Sequence, residues 1–218
     1  AVIFGITLST LHQSGLGALY LMAKEKIHPL WYNEFIPVMF FVSSIFAGLS
    51  MVIFEGSISH KVFSRQINEE NHKAHDGIIT GLSKICAVAM FAYFFLQLLV
   101  FIHGKRWDLL NTPMGYWYLL EMIGFVLVPM MLFFYSYRKS NITIVKIAAI
   151  LTMVGVIMNR LNVTVIGFRW DAAIRYVPTW MELAVTLAVI FTEIWIFRWV
   201  INRMPVLRDS PEWVNDKH

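Results

Sequence analysis

Six long apolar runs fix what this chain can be. They cover about 2–22, 35–55, 78–102, 116–137, 142–166 and 179–201 of the 218 residues. Each reaches the roughly 20 residues that an α-helix needs to cross the hydrocarbon of a bilayer. A segment in lipid must satisfy its backbone polar groups internally, so only helices and closed barrels span. The alternating ten-residue segments of a barrel are missing here. The expectation is an all-α membrane protein with about six transmembrane helices. Composition agrees: 58% hydrophobic and 15% charged residues are far from the roughly 45–50% and about 25% of soluble domains.

Between the runs lie Pro, Gly, Asn and charged residues, over 24–33, 56–77, 104–115, 138–141 and 167–178, and a polar tail closes the chain. This divides the chain into a first helix over 1–22, a five-helix region over 35–203 and a tail over 204–218. Ala1 opens directly into an apolar run without a charged region or cleavage site before it, which is not a signal-peptide pattern. The first helix therefore reads as truncated. Lys61, Arg65, Lys73, Arg138, Lys139, Arg203, Arg208 and Lys217 gather on one side of the predicted topology. Lys24, Lys26, Lys105, Arg106, Arg169 and Arg175 gather on the other. The richer side is expected to be cytoplasmic, which places the C-terminus on the cytoplasmic face of the membrane. A net charge of +4 without basic blocks excludes a nucleic-acid surface. Small residues at helix spacing, Ser44 with Gly48 and Gly77 with Gly81, predict close backbone approaches, and Pro129 predicts a kink in the fourth span.

Ionisable side chains inside spans cost at least ~2.5 kcal/mol and call for a reason. The first span carries Ser9, His12 and Gln13 on one face, to which Tyr20 returns. The fourth carries Glu121. The fifth carries Asn159, Arg160, Asn162 and Thr164, and the sixth carries Glu182 and Glu193, eleven residues apart and so nearly in line along the helix. Glu55 ends the second span. His12, Glu121, Arg160 and Glu182 are expected between mid-membrane and the outer surface, on four helices. Glu193 and Glu55 extend a possible proton route toward the cytoplasm. The plainer alternatives are a structural pair of Arg160 with Glu121 or Glu182, a packing role for His12 and a solvated boundary position for Glu55.

Other chemistries are weakly signalled. His72 and His75 have metal-ligand spacing but stand in a charged stretch expected to be a loop. A bis-histidine haem needs two facing imidazoles, and only His12 and His103 lie near spans. The single Cys86 excludes a disulfide and a Cys-ligated cluster within the chain. Gly15-x-Gly17 is not a phosphate loop, and there is no nucleophile elbow, P-loop or zincin motif.

Leu8–Tyr20 (LSTLHQSGLGALY), His28–Trp31 (HPLW), Val52–Ser57 (VIFEGS), Asn159–Asn162 (NRLN) and Tyr176–Glu182 (YVPTWME) together resemble the NrfD/PsrC family. The nearest likeness is to its HybB-type members, membrane subunits of periplasm-facing nickel–iron hydrogenases. The resemblance runs in order over nearly the whole chain. It implies the C-terminal part of an eight-to-ten-helix fold that lacks the preceding four-helix bundle, from which the family's quinone pocket is largely built. It also implies a subunit of a respiratory oxidoreductase complex that binds menaquinone or ubiquinone. Such a subunit docks a periplasmic iron–sulfur protein beside a catalytic subunit and holds no haem or iron–sulfur cluster of its own. By resemblance, His12, Glu121, Arg160 and Glu182 are quinone-proximal or proton-transfer groups, and Glu55 and Glu193 lie on a proton path. A structural anchor and a transporter half are the rival readings, the latter without an inverted repeat to support it.

Overall fold

A computed structural model describes residues 2–62, 69–171 and 178–203. The helices, in chain order, are α1 (Val2–Leu21), α2 (Ile36–Val62), α3 (Glu69–His103), α4 (Pro113–Leu119), α5 (Val128–Lys139), α6 (Ile142–Leu161) and α7 (Trp180–Arg203). A short 3₁₀ turn, Trp107–Asn111, precedes α4. π-Helical segments join α4 to α5 (Leu120–Leu127) and extend α6 (Asn162–Ile166). Five of these stretches are long and apolar enough to cross a membrane: Ile36–Ser59, Asp76–His103, Pro113–Lys139, Ile142–Ile166 and Trp180–Val200. α1 is a sixth helix of similar length, with Ser9, His12 and Gln13 interrupting its apolar run. The chain is an all-α, multi-pass membrane protein. The tail over 204–218 lies outside the described residues, as do Tyr176 and Val177 of the YVPTWME stretch.

Two differences from the sequence reading concern where helices end. α2 continues seven residues past Glu55, to Val62, and α3 begins at Glu69, so much of the 56–77 break is helical. An apolar run reports the thickness of the hydrocarbon, whereas a helix continues through polar residues until its caps. His72 and His75 accordingly fall in helical backbone rather than in a loop. Elsewhere the local chemistry sets the ends. Thr112 caps α4 by accepting the Gly115 N–H at 3.1 Å, with Pro113 in the first turn. Ser140 takes the left-handed conformation (φ 49°) that ends α5, and the Asn141 side chain then accepts the Ile144 N–H to start α6.

The chain divides into two units, residues 1–173 and 174–218. In the first, α2 packs on α1, α3 and α6, and α5 packs on α3 and α6. The core comprises Phe46, Ile53, Met90, Tyr93, Phe133, Val145 and Ala148, each nearly or wholly buried. Ser44–Gly48 and Gly77–Gly81 do not make the expected approaches: a Cβ at Gly48, Gly77 or Gly81 would meet nothing within 4 Å among the described residues. The close approaches fall at Gly17, where a Cβ would lie 2.9 Å from Pro37 Cα at the start of α2, and at Gly155 against Phe125.

At one end of this unit, residues 22–35, 104–112 and 167–171 lock together. His28 N–H donates to Gly167 O at 2.8 Å, Arg169 N–H donates to Lys26 O at 2.5 Å, and Arg106 donates to Pro29 O and, at 2.6 Å, to Tyr32 O. An isolated antiparallel bridge joins Ile27 to Phe168. The second unit is α7 with its approach. Its first turn is capped by Glu182, whose Oε2 accepts the Thr179 N–H at 3.0 Å.

Candidate functional site

Just below that locked end, the first unit buries a carboxylate. Glu121 opens the π-helical segment after α4 and is 2% exposed. Pro129 explains the local geometry. It has no N–H for the carbonyl of Phe125 four residues earlier, and its ring crowds that carbonyl, so the turn ahead of it widens into a π segment. The freed Phe125 carbonyl faces Gly155 of α6, where only a glycine leaves room: a Cβ there would lie 2.8 Å from that oxygen. The kink expected at Pro129 is thus a widened turn that carries Glu121 against α6.

Three donors converge on the carboxylate. Asn159 Nδ2 donates to Oε1 at 2.5 Å, while Trp31 Nε1 at 2.8 Å and Asn162 Nδ2 at 2.6 Å both donate to Oε2. Asn159 and Asn162, three residues apart, share one face of the helix, which is why both reach the same group. Trp117, one turn before Glu121, donates Nε1 to Asn162 Oδ1 at 2.8 Å and so fixes that amide. Trp31 is held from behind by the edges of the His28 ring (5.5 Å) and of the Tyr118 ring (5.8 Å).

Arg160 does not pair directly with Glu121. Its Nη1 donates to Asn159 Oδ1 at 3.1 Å, its Nη2 donates to Ser43 Oγ at 2.7 Å and to Phe40 O at 3.4 Å, and the guanidinium lies 3.5 Å above the Phe40 ring centre. Asn159 is therefore the link between cation and carboxylate. Tyr20 of α1 packs on the same Phe40 at 5.9 Å between ring centroids. Two cavities of about 10 Å³ flank the link, one beside Glu121, Tyr93 and Ser43, the other beside Trp31, Asn33 and Gln97; Asn159 and Tyr93 line both. Each is about the size of one water.

Within the first unit, His12 and Glu55 are not part of this network. His12 is exposed on α1, Glu55 is exposed near the far end of α2, and Glu182 and Glu193 belong to α7, in the second unit. No group of three or more metal-ligating side chains forms among the described residues. Sequence reasoning took HPLW and NRLN as marks of resemblance, and it passed over Trp31, Trp117 and Ser43 as site residues. The available signal was the donor count. A buried carboxylate requires donors around it, and an indole in a Pro-bounded loop and two amides at helix spacing are such donors.

Outside the spans, His28 is 4% exposed and its Nδ1 accepts the Leu30 N–H at 3.2 Å. Burial, and next the Arg106 guanidinium nearby, hold its imidazole below the ordinary histidine range, which keeps that nitrogen an acceptor.

The chain is 42% identical over 218 residues to a protein of Nitratidesulfovibrio vulgaris strain Hildenborough, covering 99% of this chain and 56% of that protein. It is 23% identical over 220 residues to the probable Ni/Fe-hydrogenase 2 b-type cytochrome subunit of Escherichia coli strain K12, covering 100% of this chain and 55% of that subunit. The chain thus spans about half the length of the curated relatives it matches. No solved structure gives a significant match. The family described as polysulphide reductase, NrfD, matches residues 1–169, a stretch that holds α1 to α6 and the whole Glu121 network, and the chain belongs to this NrfD family.

Proposed function

We propose that this chain is part of the membrane subunit of a respiratory oxidoreductase complex, exchanging electrons between a periplasmic iron–sulfur protein and the quinone pool. The observation that carries the reading is the buried Glu121, held by three donors and joined through Asn159 to Arg160 between two water-sized cavities. Reducing a quinone consumes two electrons and two protons, and the protons need titratable groups linked by hydrogen bonds or single waters. Glu121, Tyr93 and Asn159 with a water in each cavity form such a link. His12 and Glu182 are further quinone-proximal or proton-transfer stations in this reading, and Glu193 and Glu55 lead toward the cytoplasm. Family membership and the hydrogenase subunit among the relatives support an electron-transfer partner.

That relative is named a b-type cytochrome. Among the histidines whose side chains are described, His12 stands on α1, His28 has Nδ1 engaged by the Leu30 N–H, and His103 ends α3. In the proposed reading none of these residues carries a haem. The proposed subunit takes its electrons from the partner's cluster.

The test is Glu121→Gln in the intact complex. Loss of a proton-transferring carboxylate is expected to lower quinone-linked turnover by about 10²-fold or more, while electron transfer to an acceptor that bypasses the membrane subunit continues. Unchanged quinone-linked turnover refutes the proton role. The filled coordination of Glu121 and the small size of both cavities favour a second reading, a structural joint. Loss of complex assembly, with normal turnover in whatever assembles, selects it.

A further inference from the structure

A cavity far larger than the two that Asn159 lines lies elsewhere in the first unit. A groove of about 500 Å³ opens where the 22–35 loop meets the last turns of α3, with Lys24, Asn33, Glu34 and Arg106 at one end and Leu96 and Leu99 at the other. Leu99 is an exposed residue of α3 and His103, on the rim, is that helix's last residue. The groove therefore runs from an exposed apolar stretch of a helix long enough to cross the membrane to a polar loop. Only an amphiphile matches both halves.

The polar end narrows the choice. Asn33 is 7% exposed, and its Oδ1 is buried without a hydrogen-bond partner. A buried unsatisfied acceptor is costly, and an occupant of the groove that brings an N–H or O–H would satisfy it. Arg106 uses Nη1 on Pro29 O and Tyr32 O, which leaves the rest of its guanidinium, with Lys24, for an anion. Glu34 beside Asn33 adds an acceptor of negative charge. Two cations, one carboxylate and one orphan acceptor complement a head group that carries both a phosphate and a primary ammonium.

We propose that this groove binds a phospholipid of the phosphatidylethanolamine type, the phosphate on Arg106 and Lys24, the ammonium on Asn33 Oδ1 and Glu34, and the acyl chains along Leu96 and Leu99. A choline head group has no N–H to offer Asn33. A quinol offers an O–H but no anion, and a phosphatidylglycerol leaves Glu34 without a cation. The inference stands independently of the quinone reading.

The test uses the full-length membrane subunit in its complex, delipidated in detergent. It is titrated with phosphatidylethanolamine, phosphatidylcholine or phosphatidylglycerol of matched acyl chains and read by native mass spectrometry. Wild type is expected to retain the ethanolamine lipid about tenfold better than the choline lipid, the effect of one charge-assisted hydrogen bond. Asn33→Leu abolishes that preference; if this variant does not assemble, Glu34→Gln serves and reduces it. Lys24→Gln weakens all three lipids. Equal retention of all three by wild type overturns the proposal, as does a preference that survives Asn33→Leu or is undiminished in Glu34→Gln. Displacement of the bound lipid by added quinone also overturns it.

Discussion

Gly155→Ala is expected to damage this protein far more than one methyl group suggests. A Cβ at that position would lie 2.8 Å from both Phe125 Cβ and Phe125 O. Ordinary contact begins near 3.4 Å, so α6 and the π segment must separate by about 0.6 Å. Neither partner is the end of a flexible side chain. One is a backbone carbonyl and the other a Cβ, both anchored in the turn that Pro129 widens. Overpacking of this kind costs roughly 1–3 kcal/mol. The displacement has a functional edge. Gly155 and Phe125 each sit one turn from a member of the 2.5 Å contact between Asn159 and Glu121, and a hydrogen bond weakens as it lengthens. Gly48→Ala is the control, since nothing lies within 4 Å of its new methyl, and alanine gains up to about 1 kcal/mol of helix propensity over glycine. Denaturant-induced unfolding of the purified membrane subunit should rank Gly155→Ala below wild type by about 1–3 kcal/mol and Gly48→Ala level with it or above. If the two variants unfold alike, the close approach of α6 to the π segment is wrong.

Two further outcomes follow from the same geometry. Arg160→Lys keeps the charge but loses the planar fork that serves Asn159, Ser43 and Phe40 together and stacks on the Phe40 ring; a loss of about 1–3 kcal/mol is expected, and an unfolding curve that matches wild type would count against the network. His28 supplies a pH dependence. Its imidazole titrates below the usual histidine range in the fold and near about 6.5 in the unfolded chain, so as pH falls through about 6.5 the unfolded state takes up the proton first. Stability is therefore full above that value and declines below it until the folded-state imidazole is itself protonated. Comparing unfolding of wild type and His28→Asn, whose Oδ1 can accept the Leu30 N–H without titrating, isolates this contribution, and identical pH profiles would refute it.

What could be read from the sequence depended on the range of the signal. Span number and order were legible because hydrophobic length is a local property that lipid enforces. Helix ends were less so: α2 runs on through Glu55 to Val62, because apolar runs stop where the bilayer stops, not where hydrogen bonding does. Glu121 and Arg160 were legible as costly groups in apolar runs, yet their relation was not. A direct ion pair is the simplest guess from composition, but Asn159 stands between them with Nδ2 toward the carboxylate and Oδ1 toward the guanidinium. Spacing along one helix gives no information on which amide faces a distant carboxylate. Trp31 shows the limit more sharply, since it lies 90 positions from Glu121 and reaches it only because the 22–35 loop is clamped by Gly167 and Arg106.

The clamp also explains why HPLW and NRLN belong together. Gly167 accepts the His28 N–H at 2.8 Å, and a Cβ on it would lie 3.3 Å from the Trp31 ring. The π segment that begins at Asn162 ends against this glycine, with Gly167 N–H donating to Asn162 O at 2.6 Å. One short stretch thus ends α6, seats the HPLW loop and turns Asn162 toward Glu121. Moving the loop would withdraw Trp31 from Oε2 and leave a buried carboxylate oxygen with one donor in place of two. Lys24, Glu25, Lys26, Glu34 and Phe35 of the loop are exposed, while Trp31 and the carboxylate are buried. Displacement of residues 22–35 would therefore act on Glu121 through Trp31.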